Sequence, residues 1–450
     1  MSHVFYRRMA RPHPLAMRGR GTYLWDDSGL CYIDASGGSL VVNIGHGVAE
    51  VTQAMAEQAA AVAYVHGTLF STGVLETYSE RLTVLLPLSD PRLYYLTSGS
   101  EAVETALKFA RQVQVARGEP AREVIISRWG SYHGATLGAL AVTGKPKMRT
   151  MFAPLFRDQL HIPPPYCYRC PFGYAPGKPF GVTYPACNLA CAQALETEIL
   201  RQGPERVAAF LAEPVGGATL GAVVPPEGYW PLVRQICDRY GLILIADEVM
   251  TGFGRTGRWF GIEHFGVRPD VMTMGKGATG GYFPFSITAV RDTDADAVCQ
   301  AHGEFIHGGT FSHHAVGAAT ALATLHYLQE HSLVAAAAVR GTYLGRLLHE
   351  DLGELPCVGD VRGLGMMWGV EFVADRGTKA PFPPEWHFSQ QVCDLAFERG
   401  VILYPGSGGI NGVAGDHLMV APPFVITEEE LDQVVSVLQR TILDVLEEHR

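Results

Sequence analysis

The chain has 450 residues, 47% hydrophobic and 18% charged, with 35 Lys and Arg set against 45 Asp and Glu. That composition excludes a disordered or fibrous chain, and the net charge of −10 excludes the broad positive surface that nucleic acid or an anionic membrane would require, so a small molecule is the expected partner. No charged-then-apolar leader opens the sequence and no apolar run approaches the ~20 residues that span a bilayer, so a soluble, cytoplasmic protein is expected, with most of its nine dispersed cysteines reduced.

Taken in chain order, GRGTYLWDDSGLCYIDASGG predicts two short strands around the turn Asp26-Asp27-Ser28-Gly29, followed by a helix over VAEVTQAMAEQAAAVAYV. From RLYYLTSG onward, strand and helix signals alternate. RLYYLTSG runs into the helical EAVETALKFARQVQVARG, REVIISRW into SYHG, and ERVAAFLAEPV into a proline-rich loop. The helical PLVRQICDRY then leads to GLILIADEV, and VMTMGK adds a further apolar strand. This alternation predicts an α/β fold whose large domain is a mostly parallel sheet covered by helices, with polar residues delivered to the strand ends. Two alanine-rich helices, strands within VRGLGMMWGVEFV, and a last amphipathic helix with a Thr427/Glu430 capping box complete the chain. The expected division is 1–60 and 315–450 as the two parts of a smaller α+β domain, and 61–314 as the large domain. In the middle, Cys167, Cys170, Cys187 and Cys191 form C-x2-C and C-x3-C pairs, a spacing open to two readings, a structural metal or apolar packing.

Several strand ends carry chemistry. Thr97-Ser98-Gly99-Ser100 leads straight into a helix, where free N–H groups make a phosphate seat, although Ser and Gly there also serve as plain caps. SYHG places Tyr132 and His133 past the next strand, an aromatic able to stack on a planar ring beside an imidazole. GLILIADEV hands Asp247 and Glu248 to the sheet edge, and a buried carboxylate such as Asp247 could hold a pyridine nitrogen protonated. Lys276, in MGKG, follows an apolar strand, and its desolvated amine would be a nucleophile for a carbonyl. Phosphate seat, stacking ring, carboxylate and imine-forming lysine are together the needs of pyridoxal 5'-phosphate. His307, His313 and His314 lack metal-ligand spacing, and no metal is assigned to the site.

In SGSEAVETALKFAR, SYHG, AEPVGGATLGAVVPPEGYW, ADEVMTGFGRTG, MGKGATGGYFP, HGGTFSHH and GDHLMVAPPF, the sequence resembles the class III pyridoxal-phosphate aminotransferases of fold type I, from about residue 21 to about residue 427. The resemblance implies that Lys276 attaches the cofactor and shuttles a proton, that Asp247 pairs the pyridine nitrogen, and that Tyr132 and Val249 cover the two ring faces. Ser98, Gly99 and Ser100 would hold the phosphate, Thr310 would reach the phosphate of a neighbouring subunit, and Glu213 and His133 would support the ring. It further implies a homodimer or larger assembly, and an amino donor and a 2-oxo acid as substrates.

Two positions bear on substrate. Where relatives acting on ornithine or γ-aminobutyrate carry a glutamate and a glutamine, this sequence has Ala218 and Met250, as in relatives that use pyruvate. The C-terminal arginine that such enzymes use for a carboxylate is missing, with Ala414 and Met419 near its place. Arg7, Arg8 and Arg11 are candidates to replace it or simply a solvated tail, and Arg255 and Arg258 are expected to fix their loop. An aminomutase or epimerase of the same fold, and a cofactor-binding protein without turnover, are the alternative readings.

Overall fold

The computed structural model describes residues 3–8, 13–173 and 186–449, and among these the strands form three sheets. The largest contains β1 Pro91–Leu96, β2 Val124–Arg128, β3 Leu160–Ile162, β4 Val207–Ala212, β5 Ile243–Asp247, β6 Val271–Met274 and β7 Ser286–Arg291, side by side in the order β1-β7-β6-β5-β4-β2-β3. Neighbours from β3 across to β6 pair in parallel, and β7 runs antiparallel to both β6 and β1. The mostly parallel sheet is as expected. The short edge strand β3 and the antiparallel β7 had no distinct signal in the sequence.

Every residue of β4, β5 and β6 is buried, because helices cover both faces of the sheet. Successive side chains divide between the faces with the two-residue period of a strand. Ile243 and Ile245 join Val103, Phe109 and Val113 of the helix Gly99–Ala116, whereas Leu244 and Ala246 join a core that includes Leu195 of Ala190–Gln202 and Val233 of Tyr229–Tyr240. The carboxyl ends of β5 and β6 therefore emerge together at one edge, bearing Asp247 and the turn to Lys276.

The second sheet joins the two ends of the chain. Strands Ala16–Arg20, Tyr23–Asp26 and Cys31–Asp34 pair antiparallel in succession, and Cys31–Asp34 pairs in parallel with Val401–Ile402. The third sheet is antiparallel, with Val358–Leu364, Met367–Phe372, Ala414–Val420 and Tyr404–Ile410 side by side. VRGLGMMWGVEFV thus supplies two strands. The hairpin of Tyr404–Ile410 and Ala414–Val420 is a departure from the sequence reading, since YPGSGGI combines Pro with glycines that weaken strand propensity and forms an edge strand only because Ala414–Val420 pairs with it. The final helix, Glu428–Glu448, starts with the expected Thr427/Glu430 capping box.

Arg255 ties these parts together. It is 2% exposed and donates to the carbonyls of Met366 (3.1 Å), Ala421 (3.1 Å), Pro422 (2.7 Å) and Val42 (3.0 Å), with its guanidinium 4.8 Å from the Phe424 ring centroid. Its role is wider than fixing its own loop. Arg258 does stay local, donating to Glu263 O at 2.8 Å. Among the described residues, no helix is long and apolar enough to cross a membrane.

Candidate active site

The phosphate seat forms where β1 ends. Ser98 Oγ accepts from Glu101 N at 3.3 Å, while the Glu101 carboxylate accepts from Ser98 N at 2.9 Å and Thr97 N at 3.0 Å, a complete capping box. The Ser98 side chain is thus committed to the cap, which leaves the first-turn N–H groups of Gly99 and Ser100 as the anion donors. A Cβ at Gly99 would lie 2.9 Å from Val249 Cγ1, so glycine allows the helix start to close on the residue two beyond Asp247. Ser100 Oγ accepts from Ala135 N at 3.0 Å and so anchors the SYHG loop to the same helix.

Asp247 ends β5 at 3% exposure with both oxygens engaged. Oδ2 lies 2.6 Å from His133 Nδ1, and Oδ1 accepts from Val249 N at 3.1 Å and Thr273 Oγ1 at 2.9 Å. An ionised carboxylate only accepts, so the shared proton is placed on His133 Nδ1. His133 N in turn donates to Thr143 Oγ1 at 2.9 Å, which anchors the backbone that carries the imidazole. Glu213, past β4, accepts from Gly217 N at 3.2 Å and lies 3.9 Å from Arg128 Nη2. Burial pushes its carboxyl above the usual range, against the pull of His133 and Arg128 and with Asp247 adding to the rise. The neighbouring Glu248 turns away, accepting from Gly261 N (2.8 Å) and Ile262 N (2.7 Å), and therefore belongs to the scaffold.

Lys276 has φ 42°, a left-handed conformation that costs free energy in a residue with a side chain. Its Nζ donates to Ser39 O at 2.8 Å. Asn43 reinforces this roof, its Nδ2 donating to Gly277 O (3.0 Å) and Phe253 O (3.2 Å). Burial lowers the Lys276 amine to about 8, Arg255 adding to the drop while Asp247 and Glu213 oppose it. Thr273, Ser39 and Asn43 were not singled out from sequence. Thr273 is an ordinary strand threonine, and DASGGS carries glycines whose use emerges only when that segment folds over the lysine.

Tyr132 is 38% exposed, and burial of the rest of the side chain raises its phenol while Arg7 opposes the rise. Thr310 is exposed in the single chain. Ala218 and Met250 pack in an apolar cluster with Leu40, Met419 and Tyr404, and Ala218 O is bonded to the buried His417 Nε2 at 2.9 Å. Met419 is buried in that cluster, and no arginine occurs from Tyr404 to Val420. His307 meets Thr105 Oγ1 at 2.9 Å, while His313 and His314 pack against Tyr94 and Phe283. The four clustered cysteines line a cavity of about 20 Å³, and burial together with Cys167 and Cys187 pushes the Cys191 thiol up to about 12. Among the described residues no group of three or more His, Cys, Asp or Glu is arranged to hold a metal. Arg11 lies outside the described residues.

A helix start for a phosphate, a buried carboxylate, a half-exposed aromatic and a desolvated amine fit pyridoxal phosphate. His133 Nε2 and Glu213 Oε2, both buried without a hydrogen-bond partner among the described residues, flank the acid that the ring nitrogen would meet. On a sheet of this order, the arrangement defines a fold type I, pyridoxal-phosphate-dependent transaminase.

Comparison with known proteins agrees. The model of the family "Aminotransferase class-III" matches residues 5–442. The putrescine–pyruvate aminotransferase of Pseudomonas aeruginosa is 34% identical over 95% of this chain and 90% of that one. Among solved structures, an (S)-enantioselective omega-transaminase from Thermomicrobium roseum superposes with a TM-score of 0.89 at 38% identity, covering 97% of this chain and 94% of that one. The omega-transaminase of Pseudomonas jessenii in complex with PMP gives a TM-score of 0.89 at 32% identity, covering 97% and 93%. The chain belongs to the class III aminotransferase family and is an enzyme of that family, a pyridoxal-phosphate-dependent transaminase.

Proposed function

We propose that the protein moves an amino group from an amine or amino acid donor to pyruvate, using Lys276 and Asp247 as its catalytic residues. The observation that carries this reading is the meeting of three elements around Val249. Gly99 approaches it from the phosphate seat, Gly275 stands beside Lys276 with its Cβ direction 3.6 Å from Val249 Cγ1, and Asp247 accepts its N–H.

Pyridoxal phosphate supplies a carbonyl that condenses with amines and a ring that takes up the electron pair released at the substrate carbon. Lys276 would attach that group, and its Nζ, once freed by the donor, would be the base that takes the proton from the substrate carbon and the acid that returns it. Asp247, oriented by His133 and Thr273, would meet the pyridine nitrogen and favour its protonated form. Gly99 and Ser100 would bind the phosphate from their backbone while Ser98 keeps the helix start in shape. Tyr132 and Val249 would hold the ring, and Glu213 and His133 would support Asp247.

The apolar wall of Ala218 and Met250 supports an amine donor with an uncharged body, and pyruvate as acceptor is supported by the P. aeruginosa relative. We further assign residues 1–60 and 315–450 to one small domain, residues 61–314 to the large one, and the enzyme to the cytoplasm. We also assign a homodimer or larger homo-oligomer. Leu69 at 74%, Phe70 at 66%, Ile306 at 68% and Phe311 at 56% exposure leave apolar surface of the kind an interface covers, the last of them next to Thr310 in the chain.

Single-turnover mixing of the holoenzyme with an amine donor and no acceptor tests the reaction. The expected result is one carbonyl product released per site and conversion of the cofactor to its amine form, reversed by pyruvate. Isomerised or racemised donor with no free carbonyl would refute it in favour of an aminomutase or epimerase, and cofactor binding without either product would indicate a non-catalytic protein.

A further inference from the structure

We propose that His417 is a positioning residue that sets donor specificity: it holds Ala218 at the wall of the substrate space and so limits the bulk of the uncharged group a donor carries on its amine carbon. The inference rests on the transaminase reading above and narrows its donor class to amines with a compact apolar substituent.

From Val207 to Pro226 every residue is buried except Ala218, so Ala218 is the one open point of this segment. It shares an apolar cluster with Leu40, Met250 and Tyr404, and these lead from the lysine to the ring. Leu40 adjoins Ser39, whose carbonyl receives Lys276 Nζ, Met250 adjoins Val249, and Tyr404 acts electrostatically on Tyr132. Met250 Sδ also lies 2.9 Å from where a Cβ at Gly217 would stand, so the turn that carries Ala218 presses on this cluster. A donor whose amine reaches Lys276 would therefore carry its substituent against Ala218.

The turn Gly217–Gly221 is bonded from two sides. From the central sheet, Glu213 Oε1 accepts from Gly217 N at 3.2 Å, and Thr219 Oγ1 donates to Gly130 O in the loop that leads to Tyr132. From the antiparallel sheet, Arg362 donates to Leu220 O and, through Nε, to Gly221 O at 2.7 Å, while His417 Nε2 meets Ala218 O at 2.9 Å. His417 is 2% exposed, and burial pushes its imidazole down to about 4 against the pull of the Ala218 carbonyl. The neutral ring therefore keeps its single proton on Nε2 and donates it to Ala218 O. Glycines cut the slot in which the ring lies. Gly406 stands opposite His417 in the strand pair, where a Cβ would overlap Nε2, and a Cβ at Gly221 would lie 2.8 Å from Cδ2. The weak strand YPGSGGI thus has a use for its first glycine. The Ala218 carbonyl cannot move nearer to the ring than hydrogen-bond distance, and it cannot move away without leaving a buried N–H unpaired. His417 is therefore both stop and tether. Removing its ring opens room behind Ala218 while Glu213, Thr219 and Arg362 still hold the ends of the turn.

The test measures kcat and KM of the holoenzyme for two uncharged donors that differ in bulk, 2-aminobutane and 1-cyclohexylethylamine, in the parent, His417→Ala, His417→Gln and Gly406→Ala. The parent should favour 2-aminobutane. His417→Ala should shift the ratio of kcat/KM toward the bulkier donor by about 10-fold, the scale on which an apolar pocket discriminates by size. The shift should come from a lower KM for 1-cyclohexylethylamine, with the cofactor absorbance unchanged. His417→Gln, whose amide N–H can replace Nε2, should restore most of the parent ratio. Gly406→Ala should disturb the ratio by displacing the ring, and added to His417→Ala it should change nothing further. Hydrogen exchange at the amides of Gly217–Gly221 should quicken in His417→Ala and recover in His417→Gln. A parent that favours the bulkier donor, an unchanged ratio or an equal fall for both donors in His417→Ala, or a Gln variant that behaves like Ala would overturn the proposal. A parent that releases carbonyl from neither donor contradicts the transaminase reading instead, and the exchange still decides the role of His417, since equal rates in parent and His417→Ala would show that it does not hold the turn.

Discussion

The reactivity of Lys276 in the cofactor-free protein follows from its surroundings. An ordinary lysine near 10.5 is neutral in roughly 0.03% of molecules at pH 7, whereas an amine lowered to about 8 is neutral in roughly 10%. Since the neutral amine is the nucleophile, Lys276 should be acylated roughly 300-fold faster at pH 7 than an unperturbed lysine of equal access. Its rate should climb tenfold per pH unit and level off above 8. Asp247 pulls the amine upward, so Asp247→Asn should move the midpoint further down. Competitive labelling of the apoprotein with acetic anhydride over a pH series, read by mass spectrometry of the Lys276 peptide, measures both. A midpoint near 10.5, or one that rises in Asp247→Asn, would refute the reasoning.

The same burial penalises the charged amine in the folded state, so Lys276→Met should stabilise the apoprotein by ~1–3 kcal/mol at pH 7. Because the folded value lies below the unfolded one, the gain should be full below pH 8 and fade as pH rises toward 10.5, as thermal melts at several pH values would show. Glu101→Ala removes one half of the capping box at the phosphate seat and should cost about 1–2 kcal/mol in urea unfolding, with faster release of the cofactor phosphate. Arg255→Met deprives four carbonyls of their donor and should cost about 3–5 kcal/mol, seen as a large fall in the denaturation midpoint or as insoluble protein; a change below about 1 kcal/mol would contradict the account of its role.

How much of this was legible beforehand depended on whether the signal was local. β4 and β5 were readable because VAAFLA is apolar throughout and ILIAD is apolar up to its final Asp247, and the last helix because its cap and its periodicity agree. Asp247 and Lys276 stood out as polar residues delivered by apolar strands. The use of Ser98 as a cap was legible as one of two options, and only the reciprocal bonds with Glu101 decide between them. Thr273, Ser39 and Asn43 were hidden because their partners, Asp247, Lys276 and Gly277, lie far away in sequence or on an adjacent strand. The hairpin of Tyr404–Ile410 was masked by glycine and proline, whose local preference is overridden by pairing with Ala414–Val420.

The pairing of Cys31–Asp34 with Val401–Ile402 has a consequence for biosynthesis. The central sheet is complete once Arg291 has been made, but the first strands of the chain must wait for a neighbour synthesised almost at the end. Ser39 and Asn43 follow directly on that waiting strand, so a nascent chain can possess its lysine and its sheet long before the lid over that lysine is secured.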